Sequence, residues 1–303
     1  MKFFLSSLLL CSSFLTSLNA LDMSDLRNSM ANIVNQAFTA QAQNDRVIAY
    51  AAKNKVLSQQ MAKDAVLIVS GIRSEENYAQ MIDSAKKFDM FLDALFRGND
   101  TLCIKKATNE MVLKHANEVL KVWKEFYPYV LNFFQNGRIN PDAYRYILDN
   151  NEKLLRLSHK LTQTLKSKRV IDTALNKVVE HSLKIVDRQR MLTQKMFKEK
   201  LLIFNNIDKQ RNKVRLKGSI ILFENGLKGL LKGDNKRGLI QVTNEDIHKN
   251  LQKAWLLWQE VQAIYRNPNP SKEDILKLAE YEPRFLKVSQ ELVRSIEESL
   301  GIL

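Results

Sequence analysis

Two stretches of this chain are versions of one sequence: KNKVLSQQMAKDAVLI from Lys53 and DRQRMLTQKMFKEKLLIF from Asp187. Shifted by 135 residues, Val56–Ile68 overlies Met191–Ile203 with six of thirteen positions identical, among them Gln59/Gln194, Met61/Met196 and Lys63/Lys198. The same ungapped shift places Phe88 on Phe223, Gly98 on Gly233, Thr108-Asn109-Glu110 on Thr243-Asn244-Glu245, and Trp123 on Trp258. Near the end the shift shortens to 131, where LLRLSHKLTQTL from Leu154 meets FLKVSQELVRSI from Phe285, as one shorter loop would produce. A fixed period of this kind marks a duplicated structural unit. Whatever fold the first half adopts, the second must adopt too.

With 9 Gly and 5 Pro in 303 residues, the chain has few places to break a helix. Each unit reads as four helices. The first carries the repeated segment, and the second runs from about Ser74 to Arg97 or Arg211 to Lys232, each stopped by a glycine (Gly98, Gly233) that takes the left-handed conformation cheaply. The third starts near Thr108 or Thr243, where Thr or Asn can cap it, and ends before the turn-rich NGRINPD and NPNPSKED; the fourth starts at Pro141 or Ser271. The expected fold is all-α, with two tandem antiparallel four-helix bundles over residues 21–166 and 167–303. From Leu154 to Leu192 there is neither Gly nor Pro. The last helix of the first bundle is therefore expected to continue into the first helix of the second and stack the bundles into a rod.

Residues 1–20, MKFFLSSLLLCSSFLTSLNA, have the lysine, apolar run and small-residue exit of a secretory signal peptide. This predicts a periplasmic or secreted protein. Cys11 would be lost with the leader, and lipidation there is disfavoured by Leu10 where a small residue is wanted. That leaves Cys103 without an intrachain partner.

In the first helices, Asn54, Leu57, Met61 and Ile68, and their counterparts Gln189, Leu192, Met196 and Ile203, form the core-facing stripe. A second stripe, Leu183, Asp187, Arg190, Gln194, Phe197 and Leu201, matches Ile48, Ala52, Lys55, Gln59, Ala62 and Val66, so each copy sets one cation and one glutamine among apolar residues. A third, Lys184, Arg188, Lys195 and Lys198, is expected to face solvent. A cation on a second buried face is either paired with a carboxylate, Asp187 for Arg190, or completed by a bound anion at a helix contact. Arginine suits the anion because its planar donor fork matches a flat oxyanion, and the glutamine amide adds a neutral donor.

RQRMLTQKM and LSQQMAK resemble the first-helix signature of the PilJ/NarX-type N-terminal sensor domain, found on type IV pilus chemotaxis transducers and nitrate/nitrite sensor kinases. FDMFLDALFRGND, VLKVWKEF and LLRLSHKL extend the likeness through the first copy; LFENGLKGLLKGD, AWLLWQE and FLKVSQEL extend it through the second. The resemblance implies an extracytoplasmic four-helix bundle that binds nitrate or nitrite across a dimer interface, through an arginine preceding a first-helix methionine. That position is Arg190, ahead of Met191, with Gln194 as a further contact and Thr193 nearby. The first copy departs from the pattern with Lys55 ahead of Val56, and its weaker set is Lys55, Ser58 and Gln59.

The formal net charge is +14, with 20 basic against 16 acidic residues in 21–166 and 26 against 17 in 167–303. A basic surface reads first as a plain solvated face and next as a match for anionic lipid or cell-wall polymer, and no nucleic-acid motif accompanies it. His115, His159, His181 and His248 lack metal-ligand spacing, and no HExxH, paired cysteines or Gly-rich phosphate loop is present, so no enzyme, cofactor or metal is expected. Trp123 and Trp258 are expected in the core. Because the sequence continues into no transmembrane helix or signalling domain, a membrane-bound receptor or kinase partner is expected, with a homodimer through the first helices. The rival expectation is a helical scaffold without a small ligand, docking on pilus, chemoreceptor or envelope components.

Overall fold

A computed structural model of the chain describes residues 23–167, 174–234, 236, 241 and 244–299, and their side chains outside 23–43, 174–184 and 296–299. The expected leader at 1–20 lies outside the described residues, as do Cys11 and the side chain of Lys184. Eight helices are described: α1 Met23–Val69, α2 Ser74–Arg97, α3 Glu110–Leu131, α4 Pro141–Lys166, α5 Ala174–Phe204, α6 Lys209–Lys232, α7 Glu245–Arg266 and α8 Lys272–Ser299. Between α3 and α4, β1 (Phe134–Gln135) and β2 (Arg138–Ile139) form a small antiparallel hairpin across Asn136-Gly137, both at positive φ as such a turn requires. The chain divides into two compact units, Met1–Asn44 and Asp45–Leu303; everything below concerns the second.

The helices start and stop where the local chemistry directs. After Val69, Gly71 adopts φ +67, its N–H donates to the Ile68 carbonyl at 3.0 Å, and the Ile72 N–H donates to the Leu67 carbonyl at 3.0 Å. This is the six-to-one and five-to-two closure of a helix end, and Ile72 and Leu67 share one core cluster, supplying its apolar contact. One period on, Asn206 at φ 59 repeats the closure with Ile203 (3.2 Å), and Ile207 repeats it with Leu202 (2.9 Å). Asn109 caps α3 through Met111 and Val112, Asn244 caps α7 through Ile247, and Asn140 caps α4 ahead of Pro141. Ser271 and Asp274 exchange side-chain and backbone bonds at the start of α8.

Other contacts recur at the same spacing of 135. Asn77 donates to the Ile72 carbonyl at 2.7 Å and Asn212 to that of Ile207 at 2.9 Å. The indole N–H of Trp123 donates to Asp89 and that of Trp258 to Glu224, both at 2.8 Å, while the Tyr146 and Tyr281 hydroxyls donate to Glu125 and Glu260. One substitution is compensated: Asn54 donates to the Phe88 carbonyl, whereas its longer counterpart Gln189 crosses α6 at Gly226, where a Cβ would sit 2.0 Å from the amide nitrogen. Phe91, the counterpart of Gly226, stays buried in the first half.

Two apolar cores result. One gathers Phe88, Phe91, Trp123, Phe126 and Leu154; the other gathers Phe197, Phe223, Trp258, Leu278 and Phe285, and recruits Val66 and Leu67 from the end of α1. Both tryptophans are buried, as expected. The expected core-facing stripes of α1 and α5 are also all buried, from Asn54 to Ile68 and from Gln189 to Ile203.

The expected helix running on from the first bundle into the second is not formed. Lys166 of α4 pairs with Asp187 of α5 at 3.1 Å, and Asn151 accepts from Lys198 at 2.7 Å. Twenty-one residues of unbroken helix would separate the first pair by about 31 Å. Instead α4 ends at Ser167, and α5 returns antiparallel along it. The absence of Gly and Pro permits a helix but does not compel one, and the folded-back arrangement brings together the Lys166–Asp187 and Lys198–Asn151 pairs that a continuous helix would hold apart.

Candidate functional site

From Ala51 to Ile68, all but one residue of α1 is buried, and the last half of α5 is almost as deeply enclosed. An ordinary bundle helix buries one stripe; these two bury a second against each other. Gln59 Oε1 accepts from Lys198 at 2.7 Å, Lys63 pairs with Glu282 of α8 at 3.2 Å, and Asn205 donates to Ser70 Oγ at 2.9 Å. The first helices of the two copies therefore touch within the chain, and α1 also reaches α8.

This contact corrects the expected solvent stripe. Lys198 is 1 % exposed and spends three donors on Gln59, Asn151 and Glu152, each at 2.7 Å. Lys195 is mostly enclosed, between Glu152 (3.1 Å) and Glu199 (2.8 Å), and Arg188 is half-buried. In a single bundle these positions face water; packing against α4 and α1 claims them. Burial would raise the Glu152 carboxyl, but Lys198 and Lys195 overrule it and hold it down at about 2.

Among the proposed anion contacts of the second copy, Arg190 lies 3.8 Å from Asp187, the carboxylate pairing open to it from the sequence, and its Nε is buried without a hydrogen bond. Gln194 donates to Glu282, leaving its Oε1 unpartnered. The Thr193 hydroxyl donates back to the Arg190 carbonyl at 2.8 Å, and Ser58 does the same to Lys55, so both hydroxyl protons are spent within their own helices. Gln59 keeps an unpartnered Nε2.

Lys55 differs from all of these. The deeply buried lysines among the described residues are Lys55, Lys63, Lys166, Lys198 and Lys200. Lys63 pairs with Asp64 and Glu282, Lys166 with Asp187, and Lys198 with its three acceptors, while Lys200 donates to the carbonyls of Tyr265 and Asn267. Lys55, 8 % exposed, has no ion pair or hydrogen bond to its ammonium among the described residues. Burial pushes it down to about 8; Asp187 partly offsets this, and Lys166 and Arg190 add to it. The two cations placed at matching positions of the two copies are thus brought within electrostatic reach of each other.

Lys55 lines a cavity of about 510 Å³ between α1, α4, α5 and α6, whose other basic groups are Arg156, His159, Lys166, Arg188 and Arg215. Leu155, Ile185 and Met191 supply apolar wall, so Met191 and Lys55 of the expected site residues face it. Burial, with Lys55 and Lys166, depresses His159, and burial depresses Arg188, whose Nε also lacks a partner. Sequence spacing missed Arg156, His159 and Arg215 as site residues because they come from other helices than the first-helix segments whose stripes were read. No group of three His, Cys, Asp or Glu side chains able to hold a metal occurs among the described residues, and none of their helices is long and apolar enough to cross a membrane. Cys103 is exposed and free in the α2–α3 loop.

Fold and site together define an all-helical bundle protein with a partly open, incompletely neutralised cationic cavity where its two halves meet. The family described as PilJ, type IV pili methyl-accepting chemotaxis transducer N-term, matches residues 182–275, which cover most of α5, all of α6 and α7, and the start of α8. No curated protein and no solved structure matches the chain.

Proposed function

We propose that this chain is a sensor-type protein built from two tandem PilJ/NarX-like bundles, exported to the periplasm or beyond, that binds a small anion and passes its occupancy to a membrane-bound receptor or kinase. The family match over 182–275 supports the sensor class, and the hydrogen bonds repeated 135 residues apart support carrying it to the first half. The resemblance makes nitrate or nitrite the first ligand to try. It also places the anion between first helices of two molecules; here α1 and α5 supply both sides of such a contact, with Lys55 and Arg190 as its cations.

The observation that carries the reading is Lys55, a largely buried lysine on the cavity wall whose ammonium has no ion pair or hydrogen bond among the described residues, where every comparable lysine has one. Desolvating a charge without compensation is costly, and a bound anion would supply the compensation. Calorimetric titration with nitrate and nitrite, against chloride and sulfate, tests it. Saturable heat that is lost in Lys55→Met or Arg190→Ala is expected. Absence of heat from every anion up to about 10 mM, weaker than a Kd worth about 3 kcal/mol, would overturn it in favour of a scaffold that docks on envelope components.

A further inference from the structure

The cavity around Lys55 is far larger than the ion that the family likeness suggests. A flat ion of four heavy atoms displaces two or three waters, roughly 60–90 Å³ at ~30 Å³ each, whereas the cavity holds about 510 Å³. That volume falls in the range of sites for small organic ligands, roughly 300–1,000 Å³. Its walls are also mixed, with Leu155, Ile185 and Met191 standing among the cations.

The charge balance points the same way. Of the acids close by, Glu152 is committed to Lys195 and Lys198, and Asp187 to Lys166 and Arg190. Lys55, Arg156, Arg188 and Arg215 then face the cavity with no ion pair among the described residues. The guanidinium groups come from three different helices, α4, α5 and α6, so they can surround a ligand and engage more than one anionic group. A single negative charge would leave most of them uncompensated.

We infer that the cavity bounded by Lys55, Arg156, Arg188 and Arg215 binds a small organic anion carrying two or more negative charges, carboxylate or phosphate, on a partly apolar body. This rests on the anion-binding reading above and names its ligand class. Lys55 supplies one charge from α1, the arginines grip the remaining anionic groups, and Leu155, Ile185 and Met191 cover the carbon skeleton.

The test is calorimetric titration of the full chain at neutral pH with succinate, citrate and glycerol 3-phosphate, compared with nitrate. At least one of the three is expected to bind at least about ten-fold more tightly than nitrate, equivalent to ~1.4 kcal/mol. That affinity should drop by a similar factor in Arg188→Gln and in Arg156→Gln, both on partly exposed positions where folding is least at risk, as well as in Lys55→Met. Binding of nitrate as tight as that of all three organic anions would overturn this inference and leave anion sensing standing. Silence from all four would overturn both. Tight binding of an organic anion that is unchanged in Arg188→Gln, Arg156→Gln and Lys55→Met would place the ligand elsewhere and also overturn the inference.

Discussion

The ammonium of Lys198 lies 2.7 Å from Oε1 of Gln59, joining α5 to α1 across 139 residues of sequence. With Asn151 and Glu152 completing its shell, all three of its donors are used at 1 % exposure. Lys198→Met would strip two buried acceptors, Gln59 and Asn151, and the half-buried Glu152 at once, and removing one member of such a network costs about 3–5 kcal/mol. Lys55→Met should behave in the opposite way, leaving stability unchanged or slightly raised, because it deletes a largely buried charge that Asp187 offsets only in part. Urea denaturation of the two variants checks the pair; equal destabilisation would show that Lys55 has a structural partner.

Asp64 gives a pH signature. Fully buried beside Lys63 at 3.1 Å, with no hydrogen bond to either oxygen, it is pushed up to about 7 by burial, which Lys63 partly offsets and Glu282 reinforces. The folded state therefore holds this proton across a window, from the ordinary 3.8 to about 7, in which the unfolded state has released it. Its contribution to stability is complete below that window and is lost as pH rises through about 7. Asp64→Asn removes the dependence, so the variant should gain on the parent between pH ~4 and ~7. A difference in unfolding free energy that stays constant over that interval would count against the raised carboxyl.

The duplication, the helix boundaries and the core stripes were legible in the sequence because each rests on local chemistry: a period of 135, asparagine caps, and Leu57, Met61, Leu192 and Met196 at helical spacing. Spacing could not show that α1 and α5 pack on each other, because a second buried face looks the same whether its mate lies in the same chain or in another. Lys198 and Lys195 were misplaced for that reason. Arg188 was assigned to solvent, and Arg156 and Arg215 lie outside the motif, so the cavity emerged only once α4 and α6 were positioned around Lys55.

The end of α1 offers a backbone test of the repeat. Gly71 holds φ +67 and Asn206, its counterpart, φ 59. An alanine forced into that region costs about 1–2 kcal/mol, whereas glycine is at ease there. Gly71→Ala should lower stability by roughly that amount, while Asn206→Gly should cost little, because asparagine already tolerates the conformation less well than glycine. Thermal unfolding of both variants decides; a neutral Gly71→Ala would mean that α1 does not close in this way.

Proton uptake provides a reading on Lys55 itself. Its ammonium sits near pH 8 because of burial, with Asp187 opposing that shift and Lys166 and Arg190 reinforcing it; His159, Arg156, Arg188, Arg215 and Glu152 line the same space. Glu152 is held near 2 by Lys198 and Lys195, and burial together with Lys55 and Lys166 depresses His159, which favours its neutral form. An anion beside Lys55 raises its affinity for the proton, so binding should draw in protons most strongly above pH ~8, and affinity should fall several-fold as pH climbs from ~7 to ~9.5. Calorimetry in two buffers of different ionisation enthalpy measures the uptake directly. Loss of both the uptake and the pH dependence in Lys55→Met is the expected result, because the arginines keep their charge throughout and cannot produce either. Anion binding that is flat over the same interval in the parent protein would place the ligand away from Lys55.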